Sequence, residues 1–203
     1  MEEIINMHYD FIEIGTSDFK TLIESDKGIG LSVEPLKLYL DNLPDRENVT
    51  KVNYGISNVV GETSIYYVKP DDIVKYNLPI WVRGCNSINA PHPSIQSLLG
   101  DQHDEIITID VVKIVNWEVL IKEYNITSVH FLKIDTEGHD AVILRDYYEN
   151  CLLDEKLLAE RIVFENNVLS DELLVQDIIS DFKKLGYSGK QISYDYELIK
   201  TPL

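Results

Sequence analysis

Residues 129–144, Val-His-Phe-Leu-Lys-Ile-Asp-Thr-Glu-Gly-His-Asp-Ala-Val-Ile-Leu, join an apolar run to a polar turn and then to a second apolar segment. The run 129–134 is long and apolar enough to predict a buried strand, and residues 141–147 are predicted to begin a helix. The polar turn between them, residues 135–139, is the exit of the strand. A strand that leads directly into a helix is the repeating unit of a parallel α/β sheet.

The same alternation extends outward through most of the chain. Strands are predicted over residues 9–14, 29–33, 49–54, 61–68, 106–112 and 161–164, and helices from Thr16 or Ser17 through Glu24, around 36–40, over 117–124 and over 171–185. The tail, 187–199, reads as two strands around Tyr194 and Asp195, so a hairpin would make the sheet mixed. We therefore predict one domain over residues 1–203, of the α/β class.

Residues 70–105 interrupt this pattern. Pro70, Pro79, Pro91 and Pro93 punctuate the segment, yet it also carries many large apolar side chains. Long irregular segments in compact domains are usually either functional or disordered. The apolar content favours an ordered, lid-like insertion over a mobile linker.

The balance of charge excludes several classes of partner. The chain has 203 residues with 18 Lys plus Arg against 35 Asp plus Glu, a formal net charge of −17. Such a surface repels phosphate backbones, so neither nucleic acid nor an anionic membrane is expected as a partner. A small acceptor molecule that is neutral or cationic is the better expectation, and self-repulsion of this size does not exclude a homodimer.

The cysteine content and the N-terminal residues bear on disulfides, metal binding and location in the cell. Cys85 and Cys151 are too few for a disulfide framework, and the spacing of Cys85, His92 and His103 fits no known zinc pattern, so no metal is expected. The first residues lack the basic and apolar regions of a signal peptide, and no apolar run is long enough for a membrane span. We expect a cytoplasmic protein.

Carboxylates dominate the predicted strand exits, where ligands bind in an open α/β sheet. The residues that follow directly on the strands include Glu13, Gly15, Glu34, Tyr54, Gly55, Asp135, Glu137, Glu165, Asn166 and Asn167. Glu34 lies nineteen residues after Gly15, the spacing at which a carboxylate accepts hydrogen bonds from a ribose. The alternative is that Glu34 caps the helix that follows Pro35.

The turn after the first strand distinguishes between adenosine cofactors. A dinucleotide needs three glycines there so that its pyrophosphate reaches the helix terminus, whereas this turn holds only Gly15 and adds Asp18. An anionic pyrophosphate would meet that carboxylate. S-adenosylmethionine carries an ammonium and a sulfonium and no phosphate, so it suits the site better.

Three stretches together resemble a known family. Residues 131–144, Phe-Leu-Lys-Ile-Asp-Thr-Glu-Gly-His-Asp-Ala-Val-Ile-Leu, resemble the Lys-Ile-Asp-x-Glu-Gly signature of the FkbM-type methyltransferases. Residues 11–16, Phe-Ile-Glu-Ile-Gly-Thr, and residues 32–35, Ser-Val-Glu-Pro, are similar to that family's first two cofactor motifs. The order and spacing agree from about residue 8 to residue 185.

The resemblance implies a Rossmann-like class I methyltransferase sheet of seven strands, mostly parallel with the last antiparallel, and helices on both faces. It implies S-adenosylmethionine as methyl donor and a hydroxyl, often on a sugar, as acceptor. The cofactor residues carried over from it are Glu13 and Gly15 at the methionine part, Thr16, Ser17 and Asp18 in the adjoining turn, Glu34 at the ribose, Gly55, Ile56 and Ser57 near the adenine, and Asp135 beside the methyl group.

Asp135, Glu137 and His139 are the candidate catalytic residues. The resemblance places Asp135 and Glu137 beside the transferred methyl group, and His139 titrates near neutrality, which makes it a candidate base. The alternatives are that His139 opens a helix and faces solvent, and that Glu137 caps that helix. In the insertion, Trp81, Arg83 and His92 are candidate acceptor-binding residues, although Arg83 could instead pair with an Asp and Trp81 could belong to the core.

Two other functions remain open at this point. The chain could be a non-catalytic Rossmann-like module that binds a ligand without turning it over. A nucleotide-dependent oxidoreductase is disfavoured by the missing glycines.

Overall fold

A computed structural model describes residues 6–201, so residues 1–5, where the sequence predicts no leader, lie outside the described residues. The strands are β1 Met7–Ile14, β2 Gly30–Val33, β3 Val49–Val52, β4 Gly55–Ile56, β5 Gly61–Val68, β6 Ile107–Val115, β7 Ile126–Ile134, β8 Arg161–Glu165, β9 Tyr187–Ile192 and β10 Asp195–Lys200. The helices are α1 Leu22–Ser25, α2 Lys37–Leu40, α3 Pro70–Lys75, α4 Pro93–Leu99, α5 His103–Ile106, α6 Trp117–Glu123, α7 Asp140–Leu153 and α8 Glu172–Lys184. Within residues 6–201, none of these helices has the length and apolar character that crossing a bilayer requires.

Seven strands form the main sheet in the order β3-β2-β1-β7-β8-β10-β9. The five strands from β3 to β8 are parallel, and β10 pairs antiparallel with both β8 and β9. The mostly parallel sheet with an antiparallel C-terminal strand is therefore confirmed, and so is the predicted hairpin near Tyr194. Strand order reverses beside β1, which puts the ligand-binding edge at the exits of β1 and β7.

An aromatic cluster lies under the C-terminal half of the sheet. Trp117, Tyr147 and Phe182 are fully buried, one on each of α6, α7 and α8. The ring centroids of Trp117 and Tyr147 are 4.7 Å apart, and the Trp117 indole nitrogen donates to the Ile143 carbonyl at 3.1 Å. The cluster therefore packs these three helices together in the main hydrophobic core.

A second sheet stands beside the first, in the order β4-β6-β5. The sequence predicts β5 and β6 as strands, but the alternating pattern indicates a single parallel sheet, and on this point it is wrong. Only residues 57–60 separate β4 from β5. Four residues are too few for the crossover that a parallel pair of β4 and β5 would need. Both strands pair with β6 instead, β4 in parallel and β5 antiparallel.

The insertion between β5 and β6 is built of short helices rather than the irregular chain that the prolines suggest. Helices α3, α4 and α5 and two 3₁₀ turns follow one another, with Pro70 and Pro93 each at the first position of its helix. Proline is favoured at that position because its missing N–H would have no helical partner. The segment has an apolar cluster of its own, formed by Val68, Ile73, Val82, Cys85, Ile95, Leu99 and Ile106.

The helix predicted over residues 16–24 is wrong. Ser17 and Lys20 have φ angles of 46° and 56°, in the left-handed region, so residues 16–20 form a loop. Helix α1 begins only after Thr21, whose capping box with Glu24 marks the start. The Glu13 carboxylate reaches across from β1 and accepts a hydrogen bond from the Leu22 N–H at 2.7 Å, which delays the helix until that point.

Glu13 is fully buried, and its other oxygen accepts a hydrogen bond from Lys133 Nζ at 2.9 Å, which links β1 to β7. Removing one partner of such a pair leaves an uncompensated charge. We expect Glu13→Ala to lower the free energy of unfolding by about 3 kcal/mol, measured by urea denaturation. Asp41→Ala, which breaks an exposed pair with Lys37, is the control and should change it by less than about 0.5 kcal/mol. Equal effects of the two variants would contradict this assignment.

Candidate active site

The site is organised by the contact between Gly15 and Asp135 at the exits of β1 and β7. The two strands run in register, with Ile14 opposite Ile134. Gly15 has a φ of 80°, and a Cβ built on it would lie 1.9 Å from the Asp135 carbonyl oxygen. Only glycine allows this approach, which brings the first turn against the polar loop 135–139.

A cavity opens over this contact. Its walls come from both sheets and from the insertion. The lining residues are Ile14, Gly15, Ser17, Glu34, Pro35, Tyr54, Gly55, Ile56, Ile65, Gly84, Asn86, Ile88, Asp135, Thr136 and His139. Seven of the residues that the sequence assigns to a cofactor or to catalysis therefore meet in one place: Gly15, Ser17, Glu34, Gly55, Ile56, Asp135 and His139.

Glu34 is buried at the base of this cavity, directly after β2. Its carboxylate oxygens accept hydrogen bonds from the Ser17 N–H at 2.7 Å and the Leu36 N–H at 2.9 Å. Burial raises the pKa of Glu34 to about 7, against those two hydrogen bonds, which lower it. The bond to Leu36 is the helix-side contact that the capping alternative expects, and the bond to Ser17 ties the same carboxylate to the first turn.

The loop 135–139 turns sharply at Glu137 and Gly138, whose φ angles are 54° and 95°. His139 does not face solvent. Its Nε2 lies 2.9 Å from Ser57 Oγ, and its Nδ1 lies 3.2 Å from Asn89 Oδ1 in the insertion. Burial lowers the pKa of His139, so the imidazole is neutral at pH 7 and available to accept a proton.

Asp140, which the sequence analysis did not single out, braces the loop from below. It is 1% exposed, and one oxygen accepts from the Thr136 N–H at 3.1 Å and the Thr136 hydroxyl at 2.6 Å. The other oxygen accepts from the Glu165 N–H at 2.9 Å, so the carboxylate ties the exits of β7 and β8 together. Burial raises the pKa of Asp140 to about 7. A carboxylate one position after His139 was the only available signal in the sequence.

A wider cleft lies on the far side of the same loop. Its histidine and carboxyl groups are His92, Glu137, Glu165 and Glu172, and among the described residues no Lys or Arg lines it. The remaining lining residues are Pro93, Ser94, Asn166, Asn167, Val168, Leu169, Ser170, Gln176 and Tyr194. Asp135 and His139 thus face the cavity, whereas Glu137 faces the cleft, and the loop 135–139 is the wall between them.

Glu165 is the most perturbed carboxyl group of the cleft. Its Oε1 accepts a hydrogen bond from Asn167 Nδ2 at 2.6 Å, and its Oε2 is buried with no hydrogen-bond partner within residues 6–201. Burial, followed by repulsion from Glu137 and Asp140, raises the pKa of Glu165 to about 9. The group therefore holds a proton at neutral pH and can donate a hydrogen bond.

The other predicted site residues lie outside both spaces. Glu13 is in the core with Lys133, and the Thr16 hydroxyl donates to the Ser17 carbonyl at 3.0 Å. Asp18 pairs with Arg83, the alternative that the sequence left open for that cation, and also accepts from Asn42 at 2.9 Å. Trp81 is 44% exposed and stands apart from the cavity and the cleft in the described part of the chain.

Two sets of possible metal ligands come together at the wall between the cavity and the cleft. Cys85, His92 and Glu137 form one set, and Asp135, Glu137 and Glu165 form the other, with ligand atoms within 4.8 Å of one another in each. The sequence spacing of Cys85, His92 and His103 could not show either set, because Glu137 and Glu165 approach through the fold.

Comparisons with known proteins agree with this architecture. The profile of the family described as "Methyltransferase FkbM domain" matches residues 13–188. The structure is similar to the crystal structure of methyltransferase FkbM from Methylobacillus flagellatus KT, with a TM-score of 0.52 and 13% sequence identity. The match covers 98% of this chain and 45% of that one, so this chain spans less than half the length of that protein. No curated protein matches the sequence.

The raised pKa of Glu165 makes stability depend on pH. The group binds its proton up to about pH 9 in the folded chain and only to about 4.5, its ordinary value, in the unfolded one. Unfolding therefore releases a proton between these values, and the folded state loses stability as pH rises from about 5 to 9. We expect Glu165→Gln, which cannot ionise, to show a smaller fall in Tm between pH 6 and pH 9 by differential scanning fluorimetry.

Glu172→Gln on the exposed side of the same cleft is the matched control and should keep the wild-type slope of Tm against pH. If Glu165→Gln and the wild-type chain show the same slope, Glu165 is ionised in the folded protein and the assignment fails.

Proposed function

The chain belongs to the FkbM methyltransferase family, and from that premise we propose that it is an S-adenosylmethionine-dependent O-methyltransferase. The proposed acceptor is a hydroxyl group on a small molecule or sugar. The observation that carries the proposal is the cavity between Glu34 and the loop 135–139, which adjoins a second, acidic cleft across that loop. A transferase needs a donor space and an acceptor space that adjoin, because the methyl group and the attacking oxygen must come within reach of each other.

The residues around the cavity fit S-adenosylmethionine. The buried Glu34 carboxylate lines the cavity and accepts hydrogen bonds from two backbone N–H groups, and its remaining lone pairs can accept further bonds from ribose hydroxyls. Because Gly15 has no side chain, it leaves space at the floor of the cavity, where a Cβ atom would clash with the Asp135 backbone. Pro35, Ile56 and Ile65 offer apolar walls for a base, and within the described lining no Lys or Arg is present to recognise a phosphate.

When bound, S-adenosylmethionine supplies a methyl group on a positively charged sulfur, which leaves as a neutral thioether. Asp135 faces the cavity with 44% of its side chain exposed, and its negative charge suits that cation. Since a free hydroxyl is a weak nucleophile, the acceptor must lose its proton as it attacks. Glu137 on the cleft side is the proposed proton acceptor, and the neutral His139 on the cavity side is the second candidate base.

The chemistry of the cleft supports an acceptor without negative charge. Asn166, Asn167, Gln176 and Ser170 supply amide and hydroxyl groups that can bond to several hydroxyls of one molecule. A neutral or cationic polyhydroxylated acceptor matches this lining, whereas a phosphorylated or carboxylated one would meet Glu137 and Glu172.

The first prediction concerns the cofactor. We expect S-adenosylhomocysteine to bind the purified chain in isothermal titration calorimetry, and Glu34→Ala to weaken that binding by roughly 1–3 kcal/mol through loss of charged hydrogen bonds. Glu62→Ala, an exposed carboxylate on β5, should leave the affinity unchanged. If millimolar S-adenosylhomocysteine gave neither binding heat nor a rise in Tm, the proposed function would be contradicted.

The second prediction concerns turnover. With labelled S-adenosylmethionine and a panel of methyl glycosides as acceptors, transfer is measured as S-adenosylhomocysteine released. We expect Glu137→Gln to lower kcat about 100-fold or more, the contribution typical of a positioned base. Its affinity for S-adenosylhomocysteine should stay close to wild type, because Glu137 faces the cleft. Binding of S-adenosylhomocysteine with no transfer to any acceptor would favour the non-catalytic binding module.

A further inference from the structure

The insertion touches the loop 135–139 through one short segment. Ser87 Oγ donates to the Glu137 carbonyl at 3.2 Å, Asn89 Oδ1 lies 3.2 Å from His139 Nδ1, and His92 Nε2 lies 3.2 Å from Glu137 Oε2. We call residues 87–92 the strap. It therefore holds Glu137 by its backbone and its carboxylate, and His139 by its ring.

Both ends of the strap are fixed. At one end Ser87 forms a β-bridge with Tyr66 of β5, with hydrogen bonds of 2.9 and 3.1 Å between their backbones. At the other end His92 is the N-cap of α4, which buries Ile95 and Leu99 in the apolar cluster of the insertion. The strap thus connects the second sheet to α4 and contacts the loop 135–139 between these two ends.

The capping bond of His92 decides which ring nitrogen carries the proton. His92 Nδ1 accepts a hydrogen bond from the Ser94 N–H at 3.1 Å, so it has no proton. A neutral imidazole then bears its proton on Nε2, the atom that faces Glu137. His92 therefore donates to the Glu137 carboxylate, and the start of α4 sets the direction of that bond.

The capping bond of His92 also disfavours a metal at Cys85, His92 and Glu137. A metal would need the lone pair of His92 Nε2, which would move the proton to Nδ1 and set it against the Ser94 N–H. The Cys85 thiol adds no thiolate in the absence of metal, since burial raises its pKa to about 12. The proximity of His92 to Glu137 is therefore explained by their hydrogen bond, and Cys85 is a neighbour of that pair.

We propose that His92 is a positioning residue that orients the Glu137 carboxylate toward the acceptor cleft, with the strap as its support. The inference rests on the proposed function in one respect, namely that Glu137 takes the acceptor's proton. It replaces the expectation that His92 binds the acceptor directly, because the Nε2 atom that an acceptor would need is engaged by Glu137. Side chains of both residues are mostly buried, 11% and 15% exposed, which shields the bond from water.

Two substitutions separate orientation of Glu137 from capping of α4. In His92→Asn, the shorter side chain keeps an oxygen where Nδ1 was, so the cap survives and the contact with Glu137 is lost. In His92→Gln, the longer side chain places an amide N–H where Nε2 was, so the contact with Glu137 survives and the cap is lost. We expect His92→Asn to lower kcat at least tenfold with an unchanged Tm, and His92→Gln to keep kcat while Tm falls by several degrees.

If kcat fell together with Tm in His92→Gln and both stayed at wild-type values in His92→Asn, His92 would only cap α4 and the proposal would be overturned. Unchanged kcat in His92→Asn would overturn it too. Affinity for S-adenosylhomocysteine, measured by calorimetry, should stay within about twofold of wild type in both variants, because His92 lies outside the cavity.

A spectroscopic test of the His92 tautomer can be made without a methyl acceptor. Long-range ¹H–¹⁵N NMR of ¹⁵N-labelled protein at pH 8, where an ordinary imidazole is neutral, reports which ring nitrogen is protonated. The signal of His92 is assigned by its disappearance in His92→Asn. We expect a proton on Nε2 and none on Nδ1, and the reverse tautomer would overturn the proposal.

Zinc chloride alone is the remaining probe. Stoichiometric zinc binding in calorimetry that is abolished in Cys85→Ala would show a metal site instead and overturn the proposal. Failure of the proposed function has a different signature, since it would abolish binding of S-adenosylhomocysteine by the wild-type chain while the tautomer of His92 stayed as expected.

Discussion

The pairing of β1 with β7 is the constraint on which the site depends. It joins segments 120 residues apart, and Glu13 and Lys133 lock them together from within. Because the strands are parallel and in register, they end at the same level, and Gly15 meets the Asp135 backbone there. The floor and one wall of the cavity follow from that contact, since the first turn and the loop 135–139 form them.

The excess of acidic residues affects the functional site as well as the net charge of the chain. Glu34, Asp140 and Glu165 are each held where burial raises the pKa to between about 7 and about 9. Such groups cost stability in the free protein as pH rises, and they are kept close to the space where ligands bind. Asp140 uses its charge to join two strand exits, whereas Glu34 and Glu165 face the cavity and the cleft.

Local patterns succeeded where the decisive forces are local. The apolar run before Asp135 and the amphipathic segment that becomes α8 could be identified from residue spacing, as could the terminal hairpin. The helix over residues 16–24 failed because a distant carboxylate, Glu13, caps Leu22 and moves the start of α1. The second sheet was missed because strand propensity carries no information on which partner a strand finds.

The sequence by itself determined the α/β order and the carboxylates at the strand exits, because parallel topology gathers those exits at one edge whatever their separation along the chain. Tertiary structure alone decided which of them face the cavity, which face the cleft and which, like Glu13, are structural. It also decided which ring nitrogen of His92 carries the proton, through a cap on α4 and a contact with Glu137, which is distant in sequence. The tautomer of a histidine and the shifted pKa of a carboxyl group depend on distances between side chains of separate elements. Those distances are set only when the chain has folded.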